Sequence, residues 1–298
     1  MDGVLVVDKP AGLTSHDVVA AARRAFHEQR IGHTGTLDPL ATGVLPLALG
    51  RATRLVRFLS ASDKDYDAAI RFGMTTDTYD VTGAETSRSD RVPGRDEVEQ
   101  ALIPLRGEYL QMPPAYSAKK VGGRRAYAMA RRDQPVDLTA VPVTVTRAEL
   151  ITLDEGVARI AITCGAGFYV RSFAHALGTL TGAGACLEAL RRTRSGDFSI
   201  EDAVDVAQLV ESPETAAQRL IPLGRLLAGF PAVLLSEEGC RRVSHGQEVE
   251  GGAAVASASA GVLTKAEWVR LLDSEGRLIA LATPGSRPDS LHPAVVLV

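Results

Sequence analysis

The chain has 298 residues, 45% of them apolar and 23% charged, which describes a soluble globular protein with one large domain and a small appended one. A formal net charge of −3 excludes any global attraction to nucleic acid, so a basic contact face must be local. Three widely spaced cysteines, Cys164, Cys186 and Cys240, form no metal-ligand pattern and point to reduced thiols in a cytoplasmic protein without structural zinc. The first residues, MDGVLVVDKP, have no basic flank, and no stretch is apolar enough to span a bilayer, so neither export nor membrane insertion is expected.

In chain order, residues 3–7 predict a short buried strand ending in the turn Asp8-Lys9-Pro10-Ala11-Gly12, with Lys9 at its apex. Ser15 is the expected N-cap of a helix that carries Val18, Val19, Ala22 and Phe26 at helical spacing. Residues 32–46, GHTGTLDPLATGVLP, are too broken for a helix and too polar for a core strand. Pro39 biases Asp38 towards an extended backbone, so this stretch holds one acid, Asp38, in a stiff bend. A lone Asp-Pro in a glycine-rich turn is usually an ordinary loop, and only its neighbours raise it above that.

Residues 51–59 read as a short amphipathic helix, and 64–74 as a strand with Tyr66, Ala68, Ile70 and Phe72 on one face. Tyr66 is either a core tyrosine or an aromatic beside the bend. The polar stretch 75–83, TTDTYDVTG, is assigned little chemistry, and 96–105 a short helix. From Tyr116 to Arg132 there are six basic residues and no acid: Lys119, Lys120, Arg124, Arg125, Arg131 and Arg132, interleaved with Tyr116 and Tyr127 around Gly122-Gly123. Such a run is commonly a solvated face, and it is also what a phosphate-tracking arm needs.

Residues 141–153 and 157–164 predict an antiparallel pair turning at Asp154-Glu155-Gly156. Gly165 to Ser172 passes from strand into helix, with Tyr169 and Arg171 at its mouth, where a guanidinium can hold a carboxylate. Gly182-Ala183-Gly184 closes that helix, and 186–194 predict another short one ending in a basic cluster, Leu190-Arg191-Arg192-Thr193-Arg194. Residues 205–227 are helical, broken at Pro213 and Pro222. After Phe230-Pro231 come short apolar pieces and turns, a small β-rich unit with six Lys and Arg against eight Asp and Glu. The Ala-Ser-Gly run 251–261 reads as a flexible loop.

The blocks DKPAGLTSHD, GHTGTLDPLATGVLP, KDYDAAIRFG with TTDTYD, GAGFYVRS and LRRTRSG together resemble, in order and spacing, the bacterial tRNA pseudouridine synthase B (TruB) family. The match runs almost end to end through the first part of the chain. The tail is similar to a PUA RNA-binding module through LSEEGCRRVSHGQEV, VRLLDSEGRLIALA and LHPAVVLV.

The resemblance implies a mixed α/β (α+β) pseudouridine synthase fold around a largely antiparallel sheet, with a catalytic domain at 1–230, a basic arm at about 113–135 and a PUA-like domain at 231–298. It implies isomerisation of the T-loop uridine 55 of tRNA to pseudouridine. The cytoplasmic enzyme would use no metal and no cofactor, have no obligate protein partner and act as a monomer. By the same match Asp38 is the catalytic acid, Arg171 its partner, and Tyr66 stacks on the uracil. Tyr169 and Leu190 wall the pocket, His33 fills the place of the flipped base, and Lys9 and Pro10 buttress the loop. Lys119, Lys120, Arg124 and Arg125 would contact phosphates. Two alternatives stand beside it: a non-catalytic tRNA-folding protein and a guide-RNA-dependent synthase.

Overall fold

The structure, a computed structural model, describes residues 1–116, 138–250, 266–287 and 289–298, and the backbone of 120–121, 124–125 and 254–257. β1 (Gly3–Lys9) is apolar on both sides and lies within a sheet: Leu5 and Val7 enter one core, Val4 and Val6 the opposite one. The chain then forms α1 (Ser15–Phe26), the short β2 (Ile31–His33) and β3 (Thr42–Leu49), and β3 pairs antiparallel with both β1 and β2. The whole bend that holds Asp38 is thus slung between two strands of one sheet.

Thr14, not Ser15, caps α1: its side chain accepts from Asp17 N at 3.1 Å, while the Asp17 carboxylate accepts from Thr14 N at 2.8 Å. The expected cap is one residue late because the Ser15 hydroxyl is engaged elsewhere, donating to Leu37 O at 3.0 Å and accepting from Leu37 N at 2.8 Å.

After α2 (Val56–Ser60), β4 (Lys64–Phe72) alternates buried and half-buried residues along its length, with Tyr66, Ala68, Ile70 and Phe72 inward as expected. β5 (Met74–Thr76) and β6 (Glu85–Arg88) make a small hairpin, followed by α3 (Arg95–Leu102) and β7 (Gly107–Gln111). The backbones of β8 (Lys120–Val121) and β9 (Arg124–Arg125) pair with each other. β10 (Val141–Asp154) and β11 (Val157–Cys164) form the expected hairpin, its turn made by Glu155 and Gly156, both at positive φ. α4 (Val170–Thr181) ends at left-handed Gly182.

The expected helix at 186–194 is instead β12 (Ala185–Ser195), a central strand antiparallel to β4 and parallel to β3. Leu-Glu-Ala-Leu-Arg-Arg favours a helix locally, but a sheet with an open position between β3 and β4 overrides local propensity. The main order is β1-β3-β12-β4-β11-β10-β7, with Val204–Asp205 parallel to β1 on its free side. The sheet is therefore largely antiparallel. Residues 205–227 give two short α-helices, Val206–Glu211 and Pro213–Ala217, then Ile221–Pro222, which joins β1 as a strand, and a single 3-10 turn, Leu223–Arg225.

α1, α3 and α4 cover one face of the sheet, placing Val18, Val98 and Phe173 against Leu45, Tyr66, Ile70 and Ile160. Each large apolar side chain fully buried there contributes about 1.5–3 kcal/mol. A second sheet combines Ala232–Leu235, Ala254–Ser257, Val269–Leu272, Leu278–Pro284 and Leu291–Val296 beside the helix Glu237–Ser244. Within the run expected to be a loop, the 254–257 backbone pairs antiparallel with Ala232–Leu235. Leu278, Leu281 and Val295 from this second sheet, with Leu297 just beyond its last strand, pack against Val4, Val6, Val44 and Ala48 on the far face of the first. Among the described residues, no helix is long and apolar enough to cross a membrane.

Candidate active site

The bend around Asp38 is fixed from several sides. Its own turn closes through Ala41 N donating to Asp38 O at 3.0 Å. Ser15 grips both backbone groups of Leu37, and Gly12 N donates to Pro39 O at 2.8 Å, so the Lys9–Gly12 turn is tied to the bend. Lys9 is fully buried and spends its ammonium on Pro10 O at 2.8 Å and Leu13 O at 2.7 Å. Burial pushes its pKa down to about 8, with Asp38 pulling it up and Arg192 pushing it down. Lys9 and the Pro10 carbonyl thus fix the 10–13 turn, and it is Gly12 that joins this turn to the bend.

A second buried cation holds the other limb. Arg192, 1% exposed, donates from Nε to Val44 O at 2.7 Å and from Nη2 to Gly35 O at 3.0 Å. The sequence places Arg192 only in a basic cluster and gives it no role at the site. Strand alternation separates it from Arg191, which turns to Asp8 at 2.7 Å while Arg192 points inward; Arg194 has the same parity as Arg192 and reaches Asp65 at 2.7 Å because the register with β4 shifts between them.

Asp38 meets Arg171 as expected. Arg171 Nε stands 2.8 Å from Asp38 Oδ2, and the two differ sharply in setting, with 7% of the Arg171 side chain exposed against 42% of Asp38. The guanidinium is otherwise consumed by the protein: Nη1 donates to Thr78 O at 3.0 Å, Nη2 to Tyr116 O at 2.9 Å, and Nε lies 3.7 Å from Asp80 Oδ2. A buried cation with its donors occupied is a rigid object, and it holds an accessible carboxylate at one edge. The segment assigned little chemistry thus supplies Asp80 and Thr78 to the site. Asp80 is itself buried, and its Oδ1 accepts from Thr78 Oγ1 at 2.9 Å and Thr82 N at 3.0 Å.

Tyr66 is buried on β4, opposite Arg192 on β12 and Ile162 on β11. Burial raises its phenol pKa, with Arg192 lowering and Asp38 raising it, so its hydroxyl stays protonated at neutral pH. Leu190 lies in the same core cluster, and its carbonyl accepts from Thr42 Oγ1 at 3.3 Å. Tyr169 precedes α4 and is held through its backbone by buried Gln111, which accepts from Tyr169 N at 2.8 Å and donates to Tyr169 O at 3.1 Å. Gln111 is a further residue that its sequence context did not single out.

His33 ends β2, half-buried, with Nδ1 out of solvent and without a hydrogen-bond partner. Burial, and then the Arg192 and His16 charges, keep its pKa below the usual histidine value. Lys119 lies outside the described residues, as do the side chains of Lys120, Arg124 and Arg125.

A family model described as the N-terminal domain of TruB family pseudouridylate synthases matches residues 23–170, and one described as the tRNA pseudouridylate synthase B C-terminal domain matches residues 171–228. A relative from Solibacter usitatus (strain Ellin6076), named tRNA pseudouridine synthase B, is 40% identical over 100% of both chains. Another of that name, from Pseudomonas aeruginosa (strain UCBPP-PA14), is 38% identical over 94% of this chain and 91% of its own. Among solved structures, one described as a crystal structure of a Cbf5-Nop10-Gar1 complex superposes with a TM-score of 0.76 at 25% identity, covering 99% of this chain and 85% of that one.

Proposed function

The chain belongs to the TruB family of pseudouridylate synthases, and from that premise we propose that Asp38, held by Arg171, is the carboxylate on which its reaction turns. The protein is a tRNA pseudouridine synthase, an isomerase. Its target is the T-loop uridine at position 55. The N1–C1′ bond breaks, the base turns, C5 bonds to C1′, the C5 proton leaves and N1 gains one, so atoms and oxidation state are conserved.

One observation carries this assignment: Asp38 is the accessible member of an ion pair whose arginine is buried. An arginine so placed aims the neighbouring acid without blocking it. Tyr66 stacks on the uracil and, as a neutral phenol, can relay a proton. Leu190 and Tyr169 complete the wall of the pocket. Extruding the uridine costs a few kcal/mol, part of it recovered when the imidazole of His33 takes the place of the base. Lys119, Lys120, Arg124 and Arg125 track the phosphates of the T-arm, and the 231–298 unit is a PUA-like RNA-binding module. The enzyme works as a monomer on free tRNA. Full-length identity to relatives named for tRNA favours this over guide-directed action.

Tritium release from an unmodified tRNA transcript labelled at uridine C5 tests the assignment. Stoichiometric release by the wild type, lost in Asp38→Asn and lost when the T-loop uridine is replaced, is expected. Turnover by Asp38→Asn would remove Asp38 from its role, and no release by the wild type on free tRNA would favour a guide-dependent or purely RNA-folding protein.

A further inference from the structure

Tyr79 carries a left-handed backbone, φ +63°, a conformation that a bulky side chain rarely adopts and that persists only where the surroundings hold it. The phenol ring is stacked on the imidazole of His175, with ring centroids 4.0 Å apart and planes 11° from parallel. His175 lies one turn beyond Arg171 on α4, and its Nδ1 is buried without a hydrogen-bond partner, so the ring is held by its face. The backbone of the turn is pinned as well: Leu187 N donates to Tyr79 O at 2.9 Å and Val81 N to Leu187 O at 2.9 Å, fastening it to β12.

The groups on either side of Tyr79 are the ones Arg171 uses. Thr78 O accepts from Arg171 Nη1 at 3.0 Å, and Asp80 Oδ2 stands 3.7 Å from Nε. Rotation about φ of Tyr79 swings the peptide plane that contains the Thr78 carbonyl. Relaxation to a negative φ would therefore turn that acceptor away from the guanidinium and shift Asp80 with it.

We propose that Tyr79 is a positioning residue for catalysis: its stack on His175 holds the left-handed turn that aims Thr78 O and Asp80 at Arg171, and through Arg171 fixes Asp38. One helix, α4, then supplies both the arginine and the aromatic seat that keeps the arginine's other partners in place. The inference rests on Asp38 and Arg171 being the reacting pair.

Single-turnover rate at saturating enzyme and tRNA affinity by filter binding test it together. Tyr79→Gly keeps the left-handed backbone and removes the ring; His175→Ala removes the seat. Each is expected to slow single turnover about tenfold with affinity within about twofold, and the double variant to be no slower than the slower single one. Tyr79→Phe and His175→Phe, which keep the stacked faces, restore rates to within about twofold of the wild type. A general loss of structure would weaken binding as well and would not be rescued by Phe. Should Tyr79→Gly fail to fold, Tyr79→Asn, which also tolerates the left-handed region, takes its place with the same expectation. Wild-type rates in the ring-deleted variants, or losses that multiply in the double variant, would overturn the proposal. Turnover by Asp38→Asn would instead remove the Asp38 assignment, and a dead Asp38→Asn beside a fully active Tyr79→Gly would remove the stack alone.

Discussion

A Cβ on Gly43 would lie 2.1 Å from the carbonyl oxygen of Arg192, so glycine is what lets β3 approach β12 closely enough for the Arg192 side chain to reach Val44 O. The same glycine sits at φ +101°. Gly43→Ala therefore meets both a steric and a conformational cost, and the atom it strikes is backbone that cannot swing aside. A loss of about 3 kcal/mol or more in unfolding free energy is expected from urea titration. A loss below about 1 kcal/mol would mean that the two strands part easily and that Arg192 does not depend on their spacing.

Arg171→Lys should be far from conservative. A lysine has one compact ammonium where the arginine fork reaches Asp38, Thr78 O, Tyr116 O and the neighbourhood of Asp80 at once. Single turnover on a tRNA transcript is expected to fall about a hundredfold, with stability lowered by about 2 kcal/mol because buried acceptors go unpaired. Wild-type rates in this variant would show that Asp38 needs only a nearby positive charge.

Much of this arrangement was legible from residue order, and the parts that were not share a cause. The bend at Asp38, the Glu155-Gly156 turn and the Gly182 helix stop are written in local chemistry, where proline and glycine limit the backbone choices. Asp38 and Arg171 also came together as their motifs implied. β12 was not legible, because Leu187 to Arg192 is a sound helical sequence and only the position between β3 and β4 makes it a strand. Asp80 and Tyr79 were hidden for a similar reason: a polar turn declares nothing about the arginine it will meet from α4, and tyrosine does not announce a left-handed backbone. Ser15 fell between these cases, since its hydroxyl suits a cap locally and is taken by Leu37 in the fold.

Acid should weaken the fold through two histidines. Burial lowers the pKa of both His33 and His175, and the Arg192 and His16 charges add to the effect at His33. The unfolded chain takes up these protons near the ordinary histidine value of about 6.5, while the folded chain resists them to lower pH. Their contribution to stability is thus complete above about pH 6.5 and is lost as pH falls through the folded values. Urea midpoints compared at pH 7.5 and 5 should drop more for the wild type than for a His33→Gln, His175→Phe double variant. Equal drops would place the acid sensitivity elsewhere.

The C-terminal unit is expected to govern folding as well as tRNA affinity. Leu278, Leu281, Val295 and Leu297 cover Val4, Val6, Val44 and Ala48, and the Arg51 guanidinium donates to Leu297 O at 2.8 Å while Arg54 donates to Val296 O. Phe58 packs edge-on against Trp268, centroids 4.7 Å apart, under the guanidinium of Arg57. Deleting residues 231–298 would strip this cover from β1 and from β3, the strand into which the Asp38 bend runs, so a loss of activity on truncation would not by itself report on RNA contacts. A milder change separates the two roles: Leu297→Ala removes buried contacts without touching the outer surface and is expected to cost about 2–4 kcal/mol. Calorimetry should then show one cooperative transition shifted to lower temperature, with tRNA affinity unchanged below it. Two separate transitions, only the smaller of them shifted, would show that the second sheet folds independently of the strands it covers.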